Sequence, residues 1–141
     1  MSKQELLAAL RRDLADLDRY AAEVSYDRFL RERDAQNMVL FAVYRVAQDL
    51  IDLANLIVAE RSLGVPHTYR EAFQLMSQAG LLAAPLAASL EGWVGLRNII
   101  AHIYRKLDLD TLHAAMLHER EPLRSFLAVA GQLLLPSTEK P

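Results

Sequence analysis

The chain has no cysteine, little glycine and proline, and no excess of basic residues. The absence of cysteine excludes disulfides, thiolate zinc sites and thiol catalysis, so any chemistry must come from other side chains. Glycine and proline contribute five residues each to the 141, while 52 % of the residues are hydrophobic and 24 % are charged. This composition is typical of one folded, helix-rich globular domain.

The charge balance and the apolar runs exclude further classes of protein. Sixteen basic against eighteen acidic residues give a net charge of −2, which is unlike a general nucleic-acid binder, so any RNA site must be local. The apolar run at residues 6–10 is too short for a signal peptide, and the uncharged stretch 72–90 contains Gln74, Gly80 and Pro85, unlike a membrane span. We therefore expect a cytoplasmic protein with neither a membrane nor DNA as a partner.

Helical patterns begin at the amino-terminal end and continue to the middle of the chain. Leucines at three- and four-residue steps predict an amphipathic helix over about 3–20. Ser25 is typical of a helix cap, and residues 31–63 continue without glycine or proline as a long spine helix. Thr68 and Glu71 then form a capping-box pattern, which predicts the start of another helix.

The second half of the chain contains two more helical segments. One follows Pro85, and a last helix is capped by Asp110 or Thr111. Pro122 lies within that last segment, where a proline either kinks a helix or breaks it in two. The sequence pattern leaves both alternatives open.

No segment alternates with the period of a strand, and no internal repeat is visible. The predicted fold class is therefore all-α, an antiparallel helical bundle of about five to six helices. Residues 1–135 are predicted to form a single domain, and residues 136–141 a solvated tail.

Residues 97–104, RNIIAHIY, carry the main chemical signal because they place polar side chains on an otherwise apolar helix. Asn98 and His102 are neighbours four residues apart, and Arg97 and Tyr104 are neighbours seven apart, so the group shares one broad face. A histidine can move a proton to or from a ribose hydroxyl or a leaving oxygen, and a guanidinium can hold charge on phosphoryl oxygens. The set suits phosphodiester chemistry that requires no metal.

The residues alone leave a second interpretation open, in which His102 is a hydrogen-bonded core histidine and Arg97 pairs with an acidic residue of the spine helix. On that helix a polar stripe with spacing i, i+4 and i+7 consists of Gln48, Asp52 and Asn55. Pairing of Asp52 or Asp49 with Arg97 would support the site. A polar interface or a solvated edge is an equal alternative for the stripe.

The other histidines give no metal-binding pattern. His113 and His118 are five residues apart, whereas a same-face metal pair on a helix favours four. His67 follows a proline in a turn, and we interpret it as a loop residue. Trp93, four residues before Arg97, either stacks on the guanidinium or packs in the core. We predict neither a metal nor a cofactor.

RNIIAHIY is similar to the RX4HXY signature of the HepT-like branch of the HEPN domain family. GVPHTYREAFQLMSQAGLL resembles that branch's segment between the spine helix and the active-site helix. AQDLIDLANLIVAERSLGVP is similar to its spine, and WVGLRNIIAHIYRKLDLDTL to the segment that carries the signature. The resemblance covers about residues 40–117 and is weak towards both ends.

This resemblance implies a HEPN-like, all-helical twofold dimer that acts as a metal-independent ribonuclease toxin of a type VII-like toxin-antitoxin system. The signature arginine and histidine correspond to Arg97 and His102, and the polar residue after the arginine to Asn98. The resemblance also implies an RNA substrate and, as antitoxin, a minimal nucleotidyltransferase of the MntA type. That partner would neutralise the toxin by transferring AMP from ATP to the signature tyrosine, here Tyr104, as O-AMP-tyrosine. From the polar stripe, Asp52 remains a supporting candidate.

Three hypotheses about function predict different results. A ribonuclease loses cleavage in His102→Ala but keeps its fold. A non-catalytic subunit that binds a nucleotide or docks a nucleotidyltransferase binds ATP or AMP and loses that binding in Arg97→Ala. A purely structural helical dimer tolerates substitution of the polar residues of the signature.

Overall fold

The computed structural model describes residues 1–102 and 108–135. Within these ranges the chain is all-α, as predicted, and contains seven helices: α1 (Lys3–Glu23), α2 (Tyr26–Arg31), α3 (Arg33–Glu60), α4 (Tyr69–Gln78), α5 (Ala84–His102), α6 (Leu109–His118) and α7 (Glu121–Leu134). The number exceeds the expected five to six because α2 is a separate short helix and the predicted last helix is divided. The predicted tail, 136–141, lies outside the described residues.

Side-chain caps set the boundaries at the amino-terminal end. The hydroxyl oxygen of Ser25 accepts a hydrogen bond from the backbone N–H of Arg28 at 3.1 Å, so the predicted cap is confirmed. The spine helix begins at Arg33, slightly later than predicted, because the extended backbone of Glu32 ends α2 and starts α3. Gln36 stabilises this corner by donating its side-chain N–H to the carbonyl of Phe29 at 3.0 Å.

The turn between α3 and α4 has the predicted chemistry. Gly64 has a φ of +128°, a conformation that glycine adopts without steric cost. Thr68 accepts a hydrogen bond from the N–H of Glu71 at 3.2 Å, which confirms the cap of α4. This short, well-bonded turn determines how residues 65–69 lie beside α5.

The last segment of the chain differs from its predicted form in the cap of α6, and the structure decides the role of Pro122. The cap of α6 is Asp108, whose carboxylate accepts from the N–H of Asp110 at 3.0 Å, so the expected capping role of Asp110 or Thr111 was wrong. Pro122 marks a break, since α6 ends at His118 and the proline lies in the first turn of α7. A proline is favourable there because first-turn N–H groups have no partner within the helix.

Helix α3 is the centre of the bundle and contacts all six other described helices. Its residues Leu50, Leu53 and Ile57 are fully buried and belong to the same core cluster as Phe73 of α4 and Trp93 of α5. Burial of each such side chain stabilises the fold by about 1.5–3 kcal/mol. None of the described helices combines the length and the apolarity that a bilayer crossing requires.

One acidic pair interrupts the interface between α1 and α3. Asp13 is only 2 % exposed, and its Oδ1 lies 3.1 Å from Nη2 of Arg45. Asp49 faces Asp13, and burial, followed by the hydrogen bond to Asp13, raises the pKa of Asp49 to about 8. Oδ2 of Asp49 is buried without a hydrogen-bond partner among the described residues, and Oδ1 of Asp13 has only ion-pair contacts with arginine. A proton shared between the two groups gives the Asp49 oxygen a partner, and burial favours the protonated form of this pair.

Candidate active site

Helix α5 carries the polar residues of the signature towards α3 and the start of α4. Trp93 and Val94 anchor the helix in the core, whereas Arg97 and Asn98 are half-buried and His102, in its last turn, is exposed. The interpretation of His102 as a core histidine was therefore wrong. An exposed imidazole at the end of a rigid helix is accessible to a ligand.

Arg97 is held by the polar stripe of α3. Its Nε donates to Oε1 of Gln48 at 3.3 Å, and the amide nitrogen of Gln48 donates to Oδ1 of Asp52 at 2.9 Å. Asp52 therefore supports Arg97 through Gln48, without a direct ion pair. The expected pairing of Asp49 with Arg97 was wrong because Asp49, one residue further along α3, faces α1.

Two aromatic rings complete the surroundings of Arg97, and the sequence analysis missed both. The guanidinium carbon lies 5.5 Å from the ring centre of Tyr44 and 5.1 Å from that of Tyr69. These distances are within the range of cation–π attraction. Tyr44 lies four residues before Gln48, so the spacing of the polar stripe could have found it. No periodic pattern predicts Tyr69, because it comes from the neighbouring turn.

A cleft of about 520 Å³ adjoins the surroundings of Arg97, because Tyr69 and Asn98, which contact the guanidinium, line it while Arg97 itself does not. Its walls come from three parts of the chain, namely the polar stripe of α3, the turn before α4, and α5. It is lined by Asn55, Pro66, His67, Thr68, Tyr69, Asn98 and His102. The structure thus brings Asn55 of the polar stripe to the same cleft as Asn98 and His102.

Other residues considered in the sequence lie away from the cleft or outside the described ranges. Trp93 is buried, and its Nε1 donates to the carbonyl of Glu119 at 3.0 Å, so it belongs to the core and does not stack on Arg97. His113 is also buried, with its ring 5.0 Å from that of Phe29. Tyr104 lies outside the described residues. In 1–102 and 108–135, no group of three or more histidine, cysteine or acidic side chains could hold a metal ion.

Arg97 retains free hydrogen-bonding capacity. Its Nε is bonded to Gln48, and its Nη1 makes only a long contact of 3.5 Å with Oδ1 of Asn98. Nη2 has no hydrogen bond with the described part of the chain. The guanidinium is therefore fixed on one side and retains donors for an anion such as a phosphate.

A family model described as Ribonuclease HepT-like matches residues 10–130 of the sequence. This chain belongs to the HepT-like family. The resemblance of the RNIIAHIY segment is thereby confirmed, and the match extends well beyond the residues that first indicated it.

Known members of the HepT-like family agree with this assignment. The mRNA nuclease HepT of Shewanella oneidensis is 35 % identical over 101 residues, which cover 72 % of this chain and 76 % of the relative. A tri-AMPylated HEPN toxin of the same organism, solved in complex with MNT antitoxin, is 30 % identical and superposes with a TM-score of 0.82 over 90 % of this chain and 94 % of that one.

Two further solved structures share the fold. A toxin-antitoxin structure with AMP-PNP is 29 % identical and gives a TM-score of 0.82 over 90 % of this chain and 95 % of the other. YutE of Bacillus subtilis, a cytosolic protein of unknown function, gives a TM-score of 0.76 at 10 % identity, over 95 % of this chain and 94 % of that one. The likeness to YutE concerns the fold alone.

Proposed function

We propose that this protein is the ribonuclease toxin of a toxin-antitoxin system, and that Arg97 and His102 cleave RNA without a metal ion. One observation carries the assignment to these residues. Arg97 is fixed with donors to spare and contacts Tyr69 and Asn98, which line an open cleft, and His102 of the same helix lines that cleft too. A positioned cation and a proton-transfer group are the two elements that phosphodiester cleavage requires.

Arg97 stabilises the charge that develops on the phosphoryl oxygens. Its Nη groups donate to these oxygens, while the hydrogen bond from Nε to Gln48 and the rings of Tyr44 and Tyr69 keep the guanidinium in one orientation. Asp52 orients Gln48 in turn. Asn98 lines the cleft beside Arg97 and offers its amide to the same phosphate or to a base.

His102 moves a proton on the ribose hydroxyl or on the leaving oxygen. Its exposed position at the cleft allows the imidazole to reach a bound RNA strand. Single-stranded RNA suits such a site, because unstacked nucleotides can enter a cleft that a duplex cannot.

Regulation involves a nucleotidyltransferase antitoxin that transfers AMP to Tyr104. The proposal is supported by the AMPylated relative in complex with MNT antitoxin, and by the position of Tyr104 two residues after His102 in the sequence. An adenylyl group adds a negative charge and bulk, and both oppose the binding of RNA phosphates near Arg97.

The protein acts as a homodimer in this proposal, in which twofold symmetry brings two copies of the RNIIAHIY segment together. The family resemblance supports this arrangement. Light scattering of the purified protein should give twice the chain mass of 15.9 kDa. A monomer that cleaves RNA at full rate would contradict the need for a second copy.

The direct test is cleavage of total RNA in excess EDTA by protein made without an antitoxin and shown by intact mass to be unmodified. Wild type should cleave, and His102→Ala and Arg97→Ala should each lose on the order of a hundredfold or more. His118→Ala and Arg11→Ala are matched controls, since both side chains are exposed on other helices. Absence of cleavage by folded wild type, together with saturable binding of ATP or AMP, would favour the non-catalytic nucleotide-binding subunit instead.

A further inference from the structure

Two of the four histidines line the same cleft. His102 comes from the last turn of α5, and His67 comes from the turn before α4. The other two belong to α6, where His113 is buried between the rings of Tyr26 and Phe29 and His118 ends the helix. The cleft therefore combines two imidazoles that are 35 positions apart in the sequence.

The backbone at His67 is held firmly while its side chain is exposed. Its N–H donates to Oε2 of Glu71 at 3.2 Å, and Glu71 in turn donates its own N–H to the hydroxyl of Thr68 at 3.2 Å. Pro66, with its restricted φ, precedes it. The imidazole makes no hydrogen bond with the described residues and is not required for the cap. A fixed backbone with an uncommitted imidazole is a favourable support for a proton-transfer group.

RNA cleavage by attack of the ribose needs two proton transfers. The 2′-oxygen forms a bond to phosphorus and loses its proton to a base, while the bond from phosphorus to the 5′-oxygen breaks and that oxygen takes a proton from an acid. The products are a 2′,3′-cyclic phosphate and a 5′-hydroxyl. A single imidazole cannot hold both positions in the same step, so within one copy of the chain His102 alone leaves one role without a group.

We propose that His67 is a second catalytic residue, which transfers one of these protons while His102 transfers the other. The inference rests on the proposed ribonuclease function. No carboxylate lines the cleft among the described residues, and the tyrosine that does, Tyr69, contacts Arg97. The elements that form the cleft also carry the charged or titratable groups Glu71 and Tyr69 of α4, Arg97 of α5 and Asp52 of α3.

The first test compares His67→Gln with His102→Gln and with His118→Gln, an exposed histidine outside the cleft. Glutamine keeps a polar side chain but cannot exchange protons near neutral pH. We expect the rate of RNA cleavage to fall on the order of a hundredfold in the first two variants and to stay at the wild-type value in the third. The pH–rate profile of His67→Gln should lose one of its two limbs. Unchanged cleavage, or a slow rate with both limbs retained, would overturn the proposal.

The second test uses a short RNA with sulfur in place of the 5′-oxygen at the bond that wild type cuts. A thiolate leaves without a proton, so only the variant that lacks the acid should recover a rate within about tenfold of wild type. If only one of the two variants, His67→Gln or His102→Gln, recovers its cleavage rate on this RNA, the two imidazoles have divided roles. The variant that recovers identifies the acid. Equal defects of both variants on this substrate would overturn the proposal. His67→Asn should reproduce the result of His67→Gln.

Different results would contradict the ribonuclease function and the role of His67. If wild type does not cleave any RNA, the ribonuclease function and the role of His67 fall together. If wild type cleaves, His102→Gln does not and His67→Gln does, only the role of His67 is wrong. In that case a second copy of His102 across a dimer would be the source of the missing group, and mixed dimers of wild type and His102→Gln would lose activity.

Discussion

Replacing Asp49 with asparagine should remove a large part of the pH dependence of stability near neutral pH. The pKa of Asp49 is about 8 in the folded chain, against an ordinary value of 3.8. Between these two values the folded state binds one proton more than the unfolded state. The free energy of unfolding therefore falls as the pH rises, and the contribution of this proton is lost once the pH passes about 8.

The size of the effect follows from the geometry of the pair. A fully coupled proton changes the free energy of unfolding by about 1.4 kcal/mol per pH unit. Asp49 is only half-buried, so solvent screening makes the change in the free energy of unfolding smaller than this value. We expect a loss of about 2 kcal/mol in wild type between about pH 5.5 and about pH 8.5. In Asp49→Asn the amide can donate to the Asp13 carboxylate without titrating, so its stability should hardly change over that range.

Urea unfolding followed by helical circular dichroism at both pH values measures this directly. The difference in stability between Asp49→Asn and wild type should change by about 2 kcal/mol towards the higher pH, and contributions from groups that both proteins share cancel in that comparison. Asp34→Asn, an exposed carboxylate of the same helix, should follow the wild-type slope. Parallel slopes for wild type and Asp49→Asn would refute the shared proton between α1 and α3.

Three further predictions concern the cleft. Gln48→Leu removes the hydrogen bond to Arg97, so the rate of RNA cleavage should fall on the order of tenfold to a hundredfold. Single-turnover kinetics would measure this rate, and filter binding should show little change in RNA affinity. Tyr69→Ala should weaken RNA cleavage several-fold more than Tyr69→Phe in steady-state kinetics, because the latter keeps the ring beside Arg97. Tyr104→Phe should cleave RNA like wild type but remain active with the antitoxin and ATP, with no added AMP by intact mass. Silencing of Tyr104→Phe would place the modification elsewhere.

Much of the fold could be predicted from the sequence because its signals are local. Caps at Ser25 and Thr68 and the glycine after the spine depend on hydrogen bonds and backbone angles within a few residues. The errors in the helix boundaries also concern local signals, where neighbouring residues offer more than one outcome. Asp108 precedes two other good capping residues, and composition alone does not show which of the three turns its carboxylate to the helix. Pro122 permitted two outcomes because a proline suits either a kink or a first turn.

The arrangement of the candidate site was predicted only in part, because some of its contacts join residues that are far apart in the sequence. The spacing of Arg97, Asn98 and His102 on one helix is a local property, and so is the stripe that begins at Gln48 and includes Asp52. The connection between the two helices is not local. Only packing shows that Gln48 accepts from Arg97 and that Asp49 faces a different helix.

The all-α class, the spine helix and the polar signature of α5 follow from the sequence alone, since helical periodicity and capping depend on neighbouring residues. Which side chains meet depends on how the helices pack. The tertiary structure placed Tyr44 and Tyr69 around Arg97, and it brought His67, read from the sequence as a loop residue, into the cleft of His102. Contacts between residues far apart in the chain depend on how the helices pack around α3, and that arrangement is a property of the whole core.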